Sequence, residues 1–408
     1  MKDLVFFKLG GTWDMIIKNN TLYGMGTLDD LMLSELEEEL GYFGDAKDYT
    51  ALEKKLTQKI EKIISIEGKT SVDIPSHMNF VPNVSEIGKG KFYSLFSGDS
   101  SHMRDSLIAP FAAYLLQFAN KNPQVAITGG HGTDTADIAV LPILDAYSFD
   151  TQLPAFVFSG ANRSHREENS DAPQNFADMF TIAQANLLPG AYWVFANYVF
   201  KASDLVKISP LESRILDNFS TFYSPHLRAE KVEDMLKNIS ERKLRKYASV
   251  PSNHVINKVT ADSLFEAMNK VHIVDIGEQN ALDEDMKAIM NPEFKAVVVA
   301  GHAFGNVSDP IKYACIKAAE KGKLIILASR CLIADVNQRY GASLLTVNAH
   351  ELRKSGKKII SANKLNKNIA RALAIRAVHS DLNEYETGEL FNKYAASRQL
   401  SEQDIVVG

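Results

Sequence analysis

Residues 125–139, VAITGGHGTDTADIA, open as an apolar run of strand length, pass through glycines, and then deliver His131, Thr133, Asp134 and Thr135 in quick succession. A short apolar run bounded by glycine reads as a buried strand, and the residues beyond it carry a helical pattern. A hydroxyl beside a carboxylate at the end of such a strand costs free energy unless each group finds a partner. The stretch reads either as a fully bonded turn or as a site.

The same grammar recurs on both sides of it. LVFFKL (4–9) runs into GGT, and PAFVFSG (154–160) runs into a polar loop. After HGTDT comes ADIAVLPILDAY, with Ile138, Leu141 and Ala146 on one helical face and Pro142 as a kink. After the polar loop comes SDAPQNFADMFTIAQAN, in which Ser170 or Asp171 caps a helix and Phe176, Met179, Phe180 and Ala183 form its buried stripe. Strand, glycine turn and helix in repetition predict a largely parallel sheet covered on both faces. In such sheets ligands bind at the carboxyl ends of the strands, where these turns lie.

Residues 28–90 interrupt the alternation with two amphipathic segments, LDDLMLSELEEEL and YTALEKKLTQKIEKII, the second striped by Leu52, Leu56, Ile60 and Ile63. Residues 219–254 are strongly charged with few core signals and read as a connection. The alternation then resumes in VHIVDIG (271–277), KAVVVAG (295–301), DPIKYACIKAAEKG (309–322) and KLIILAS (323–329). The expected fold is α/β: a large, mostly parallel N-terminal sheet domain flanked by helices over residues 1–218, with an insertion at about 28–90, a linker at 219–254, and a smaller C-terminal α/β domain over 255–408.

The bulk numbers narrow the class. The 408 residues are 45% apolar and 23% charged, as in a globular protein with a substantial core, and the net charge of −5 supplies no basic face for nucleic acid. The cluster Arg242, Lys243, Arg245, Lys246 is too short and isolated to change that. Two cysteines, Cys315 and Cys331, form no disulfide framework, and Cys331 reads as a small buried apolar residue. MKDLVFFKLGGTW is too short an apolar run for a signal peptide, and no stretch has the length of a membrane span. A cytoplasmic protein is expected, with no membrane and no nucleic acid among its partners.

The turns carry a particular chemistry. Thr12 follows Gly10 and Gly11, whose bare backbone lets N–H groups approach a substrate oxygen. Thr133 and Asp134 follow Gly129, Gly130 and Gly132, and LFSGDSSHM (95–103) supplies Asp99, Ser100 and Ser101 at another strand-to-helix corner. A threonine hydroxyl is a weak nucleophile that needs a base or a cation, and backbone N–H pairs form oxyanion holes. Acyl transfer suits this inventory, although the same residues also build ordinary turns. No G-x-S-x-G elbow surrounds Ser100, no H-E-x-x-H groups His102, His131 or His165, and no G-x-G-x-x-G or Walker loop appears. No cofactor and no metal are expected.

KLGGTW resembles the first threonine motif, T-G-G-T-I, of the bacterial-type L-asparaginase and glutaminase family. HGTDTADIAVLPILDA resembles its second motif, and GDSSHM is similar to the substrate-holding corner of the family's cytoplasmic type. PAFVFSGANRSHREENSDAPQNF, AGHAFGN, SRC and LNKNIARALAIRA resemble its later segments, so the likeness touches both domains. The resemblance implies hydrolysis of L-asparagine, or a related side-chain amide, to L-aspartate and ammonia through a threonine acyl-enzyme, in a homodimer or homotetramer. It places the nucleophile at Thr12, its activator at Tyr23 in a lid-like segment, and the water-activating threonine at Thr133. Asp134 falls where the family grips the substrate's α-amino group, Ser100 where it binds the α-carboxylate, flanked by Asp99 and Ser101, and Lys207 where a lysine pairs with Thr133 and Asp134. Asn306 falls at a neighbour-subunit position.

The chain departs from the pattern in four places: two extra glycines in TGGHGTDT, Trp13 and Asp14 after Thr12, His302 and Ala303 in place of Thr-Gly, and the insertion that follows the lid-like segment. Alternatives are a non-catalytic amino-acid sensor or scaffold, a glutaminase, and a subunit related to the tRNA-dependent amidotransferase. Against the last stands a first motif that begins at residue 10.

Overall fold

The run LVFFKL forms β1 (Leu4–Leu9), with every residue buried. This is the expected state of a strand covered on both faces. The computed structural model describes residues 2–14, 16–18, 21–23, 72–73, 78–82, 90–96, 100, 103–202, 205–207, 222–223, 230–241, 254–276, 282–331, 336, 341–352 and 355–406. The amphipathic segments expected within 28–63, Leu52, Leu56, Ile60 and Ile63 among them, lie outside the described residues. The chain divides into two compact units, Met1–Ser224 with Arg228–Asp262, and Ser263–Gly408 with Pro225–Leu227.

In the first unit β1 is followed by β2 (Ile16–Lys18), β3 (Thr21–Tyr23), β4 (Val72–Asp73), β5 (Gly90–Phe96), β6 (Ala126–His131), β7 (Phe156–Ser159) and β8 (Ala191–Phe195). The unit's remaining strands are β9 (Tyr198–Lys201), β10 (Val206–Lys207), β11 (Phe222–Tyr223) and β12 (Glu230–Lys231). One sheet takes the order β12-β9-β8-β7-β6-β1-β5-β4. Its centre, β8-β7-β6-β1-β5, is parallel, and antiparallel strands close both edges. The charged segment 219–254 thus supplies an edge strand, β12, and the helix α4 described below.

The unit's helices are α1 (Asp105–Lys121), α2 (Val140–Ser148), α3 (Ala172–Ala183), α4 (Val232–Glu241) and α5 (His254–Asn257). Successive residues of β1 face opposite sides, so Phe6 and Phe7 anchor separate layers. Phe6 stacks on Phe92 at 5.2 Å and meets Phe176 and Phe180 of α3, while Phe7 packs against Tyr114 and Phe118 of α1. The expected stripe Phe176, Met179, Phe180 and Ala183 is buried. At the start of α3 the Oγ of Ser170 accepts the Ala172 N–H at 3.1 Å. The Asp171 carboxylate instead accepts the N–H groups of Asn162 and Arg163, each at 3.0 Å, and ties down the loop after β7.

Three local expectations are corrected. The strand after Val125 does not stop at the glycines: β6 continues through Gly129 and Gly130 to His131. The helix after HGTDT begins only at Val140, so Pro142 lies in its first turn, where a missing N–H leaves no hydrogen bond unmade and no kink is needed. Ile138, expected on the buried face, precedes that helix and is half exposed.

In the second unit, α6 (Ala261–Asn269), which begins in the first, leads to β13 (Val271–Asp275), α7 (Leu282–Met290), β14 (Ala296–Gly301), α8 (Asp309–Glu320) and β15 (Leu324–Ser329). Then come α9 (Val347–His350), β16 (Ile360–Ser361), α10 (Lys367–His379) and α11 (Glu384–Val406). The sheet β13-β14-β15-β16 is parallel throughout, with β14 and β15 buried along their length. Asn366 caps α10 by accepting the N–H groups of Asn368 and Ile369. Cys315 is buried in α8, but Cys331 is exposed, against expectation, because it falls in the turn beyond β15 with its N–H on the Oγ of Ser329. Among the described residues no helix is long and apolar enough to cross a membrane.

Candidate active site

Three neighbouring parallel strands set the site. β1 pairs with β6 so that Leu9 faces His131, and with β5 so that Leu9 faces Phe96. Their carboxyl ends therefore deliver Thr12, Thr133 and Ser100 to one edge of the sheet. Gly10 and Gly11 turn the chain out of β1 with φ of 71° and 106°, a region that side chains disfavour. A Cβ on Gly11 would lie 2.4 Å from the Gly132 Cα, and one on Gly132 would lie 1.8 Å from the Ser100 Oγ. The residue before Thr12, the residue before Thr133, and Ser100 are packed against one another with no room for a methyl group.

Thr133 is 3% exposed, whereas Thr12, in the short turn Thr12–Asp14, is partly open. Lys207 on β10 reaches the turn after β6, donating from Nζ to Thr133 Oγ1 at 3.0 Å and to Asp134 Oδ1 at 2.5 Å. Its side chain is 15% exposed, while that of Asp134 is 59% exposed. The ammonium is thus largely withdrawn from water, and the carboxylate keeps acceptor capacity facing solvent. The backbone N–H of Lys207 donates to Asp137 Oδ2 at 3.2 Å. Asp137 was not singled out in the sequence; its signal is a lone acid three residues beyond Asp134, in an otherwise apolar run.

His131 is fully buried, and burial holds its pKa down to about 4, so the ring is neutral. Its Nδ1 donates to the Gly132 carbonyl at 2.9 Å, and its Nε2 has no partner among the described residues. Among the expected site residues, Ser100 is buried against Gly132. Tyr23 is placed by its backbone at the end of β3, opposite Ile16; Asp99 and Ser101 lie outside the described residues. Asn306 belongs to the second unit, in a tight turn after β14 where its N–H and C=O pair with His302. Among the described residues no three His, Cys, Asp or Glu side chains gather to hold a metal ion. A polar hollow of about 520 Å³ at the amino ends of β1 and β6, lined by Lys2, Asp3 and Gln184, is remote from these turns along the strands.

The first unit is thus a parallel α/β sheet with two hydroxyl-bearing corners in contact, one of them backed by an amine and an acid. The family model for the asparaginase N-terminal domain matches residues 61–238, and that for the glutaminase/asparaginase C-terminal domain matches 270–391. The chain belongs to the asparaginase/glutaminase family and is an amidohydrolase of the asparaginase type. It is 26% identical over 268 residues to a probable periplasmic L-asparaginase of Haemophilus influenzae, covering 64% of this chain and 70% of that one. It is 25% identical over 272 residues to a glutamyl-tRNA(Gln) amidotransferase component from Sulfolobus acidocaldarius, covering 64% of this chain and 56% of that one. The fold matches the crystal structure of a probable cytoplasmic L-asparaginase from Campylobacter jejuni with a TM-score of 0.61 at 17% identity, over 96% of this chain and 99% of that one.

Proposed function

We propose that this chain hydrolyses L-asparagine, or a closely related side-chain amide, to the free acid and ammonia through an acyl-enzyme on Thr12. The observation that carries the reading is the Lys207–Thr133–Asp134 cluster on the turn whose Gly132 abuts Gly11. In the first step the Thr12 Oγ bonds to the amide carbon, its proton passes to the leaving nitrogen, and the C–N bond breaks to release ammonia. Tyr23 relays that proton: the phenol oxygen accepts the Thr12 proton as the phenol's own proton passes to the nitrogen. In the second step a water replaces the Thr12 oxygen, and the acid leaves as Thr12 recovers its proton.

Lys207 supplies a positive charge to the Thr133 hydroxyl inside a water-poor turn, where an electrostatic contact is stronger than in bulk. That favours negative charge developing near Thr133 as water attacks. The exposed side of the Asp134 carboxylate accepts the substrate's α-ammonium, and Ser100, with Asp99 and Ser101, receives the α-carboxylate. Asn306 is proposed to bind substrate from a neighbouring copy of the chain, as the resemblance implies. We place the protein in the cytoplasm on the strength of its two free cysteines, although the Haemophilus influenzae relative is a probable periplasmic protein.

The test is an ammonia-release assay over asparagine, glutamine and N-substituted amides, with Thr12→Ala alongside. Turnover of asparagine that Thr12→Ala abolishes, with the melting temperature retained, is the expected result. Full activity in Thr12→Ala overturns the nucleophile, and aspartate binding by calorimetry with no ammonia from any amide makes the chain a sensor.

A further inference from the structure

Two of the chain's departures from the family's motifs occupy the same space. Trp13 follows Thr12 directly, and Gly130 is one of the extra glycines ahead of His131. A Cβ on Gly130 would lie 2.6 Å from the Trp13 ring, so the glycine is the room the indole needs. The indole is 2% exposed, packs on Phe176 at 4.9 Å, and donates from Nε1 to the Gly10 carbonyl at 2.9 Å. That bond closes a loop of four residues with Thr12 inside it.

The carbonyl of Trp13 is held from outside. It accepts two bonds from His165, from the backbone N–H at 2.9 Å and from the ring Nδ1 at 2.8 Å. A carbonyl oxygen only accepts, so Nδ1 carries the proton. The imidazole in turn lies flat on Phe80, with ring centroids 4.3 Å apart and planes 18° from parallel. Phe80 lies in sequence between the first threonine corner and β5, and it buttresses the Thr12 turn through the two stacked rings.

We propose that Trp13 and His165 are positioning residues: the indole N–H and the imidazole clamp the turn on both sides of Thr12 and fix the direction of its hydroxyl. Neither side chain needs to touch substrate. The proposal rests on Thr12 being the nucleophile. A nucleophile displaced by about 1 Å from its attack geometry loses up to a hundred-fold in rate while substrate affinity is kept.

The experiment separates the clamp from simple packing. His165→Phe keeps a flat ring over Phe80 but removes the side-chain donor; His165→Asn keeps an N–H at the Nδ1 position; Trp13→Phe keeps a ring over Gly130 but removes the bond to Gly10. The expected result is a fall in kcat of about ten-fold or more in His165→Phe and Trp13→Phe, with KM within about two-fold and the protein still fully folded at the assay temperature, and kcat within about three-fold of the parent in His165→Asn. Parent-like kcat in His165→Phe and Trp13→Phe overturns the proposal. So does a loss that follows the folded fraction, or one that His165→Asn shares with His165→Phe. An active Thr12→Ala is a separate failure, that of the nucleophile itself.

Discussion

Replacing Lys207 with Met tests the second half of the reaction. Met matches the lysine stem in volume, so the change removes the ammonium and little packing. Two contacts go: the bond to Thr133 Oγ1 at 3.0 Å and the ion pair with Asp134. The ion pair contributes little to folding, because a carboxylate that is 59% exposed is screened by water; an exposed pair of this kind is worth about 0–1 kcal/mol. The bond to Thr133 weighs differently, since Thr133 is buried and, in the mechanism proposed above, the charge beside it acts on the transition state. Losing one preorganised donor of that type costs about 10²–10³ in kcat, or roughly 3–4 kcal/mol of barrier. Steady-state ammonia release should fall by that factor, with melting moved by no more than a few degrees. A pre-steady-state burst of ammonia equal to the enzyme concentration should remain if Thr12 still acylates. A kcat within about three-fold of the parent, or a loss of rate matched by a loss of folded protein, would refute the assignment.

Other sites make independent predictions. Gly132→Ala brings a Cβ to 1.8 Å from the Ser100 Oγ and should destabilise by about 1–3 kcal/mol in urea unfolding, with Ser100→Gly on the same chain recovering part of it; strictly additive effects would contradict the packing. His131 has a folded pKa of about 4 against an ordinary 6.5, so the unfolded chain binds the extra proton. Its contribution is intact above pH 6.5 and is lost as pH falls from there toward 4, by up to about 3 kcal/mol in all. His131→Asn, which keeps an N–H toward the Gly132 carbonyl, should flatten the stability profile between pH 7 and 5, and an unchanged profile would sink the assignment. Ala303 sits at φ 44°, where L residues cost about 1–2 kcal/mol, so Ala303→Gly should raise the unfolding free energy measured in urea by roughly 0.5–1 kcal/mol after the glycine's own entropy is offset; a lower value would count against strain there.

The large sheet was legible because its strands are buried on both faces and so read as unbroken apolar runs ending in glycine. β1, β7, β14 and β15 fall where LVFFKL, PAFVFSG, KAVVVAG and KLIILAS place them. The end of β6 was not legible. Glycine lowers strand propensity in isolation, and only the tertiary neighbours, the Phe158 ring 2.3 Å from a Cβ on Gly129 and the Trp13 ring beside Gly130, explain why the strand continues through both. The delayed start of α2 has a similar origin, because Thr133 and Asp134 are bonded to Lys207, seventy-odd residues away in sequence. Local periodicity carries no trace of such a partner. The juxtaposition of Thr12 with Thr133 was readable only as a consequence of topology: two glycine corners at the same end of a parallel sheet meet when their strands are adjacent, and adjacency is settled by the β1–β6 register.

Burial then separates two residues of identical chemistry. Both threonines follow a glycine at the end of a central strand, and both hydroxyls have the same intrinsic acidity. Thr12 is partly open, in a turn closed by the Trp13 indole N–H on the Gly10 carbonyl. Thr133 lies beneath the surface with its oxygen on the ammonium of a lysine whose side chain is only 15% exposed. In a medium of low effective dielectric that contact gains strength, so the buried hydroxyl suits stabilising charge and the open one suits bond formation. Exchanging the two environments would invert the assignment, which is why Lys207→Met is expected to spare acylation and slow deacylation, whereas Thr12→Ala stops both.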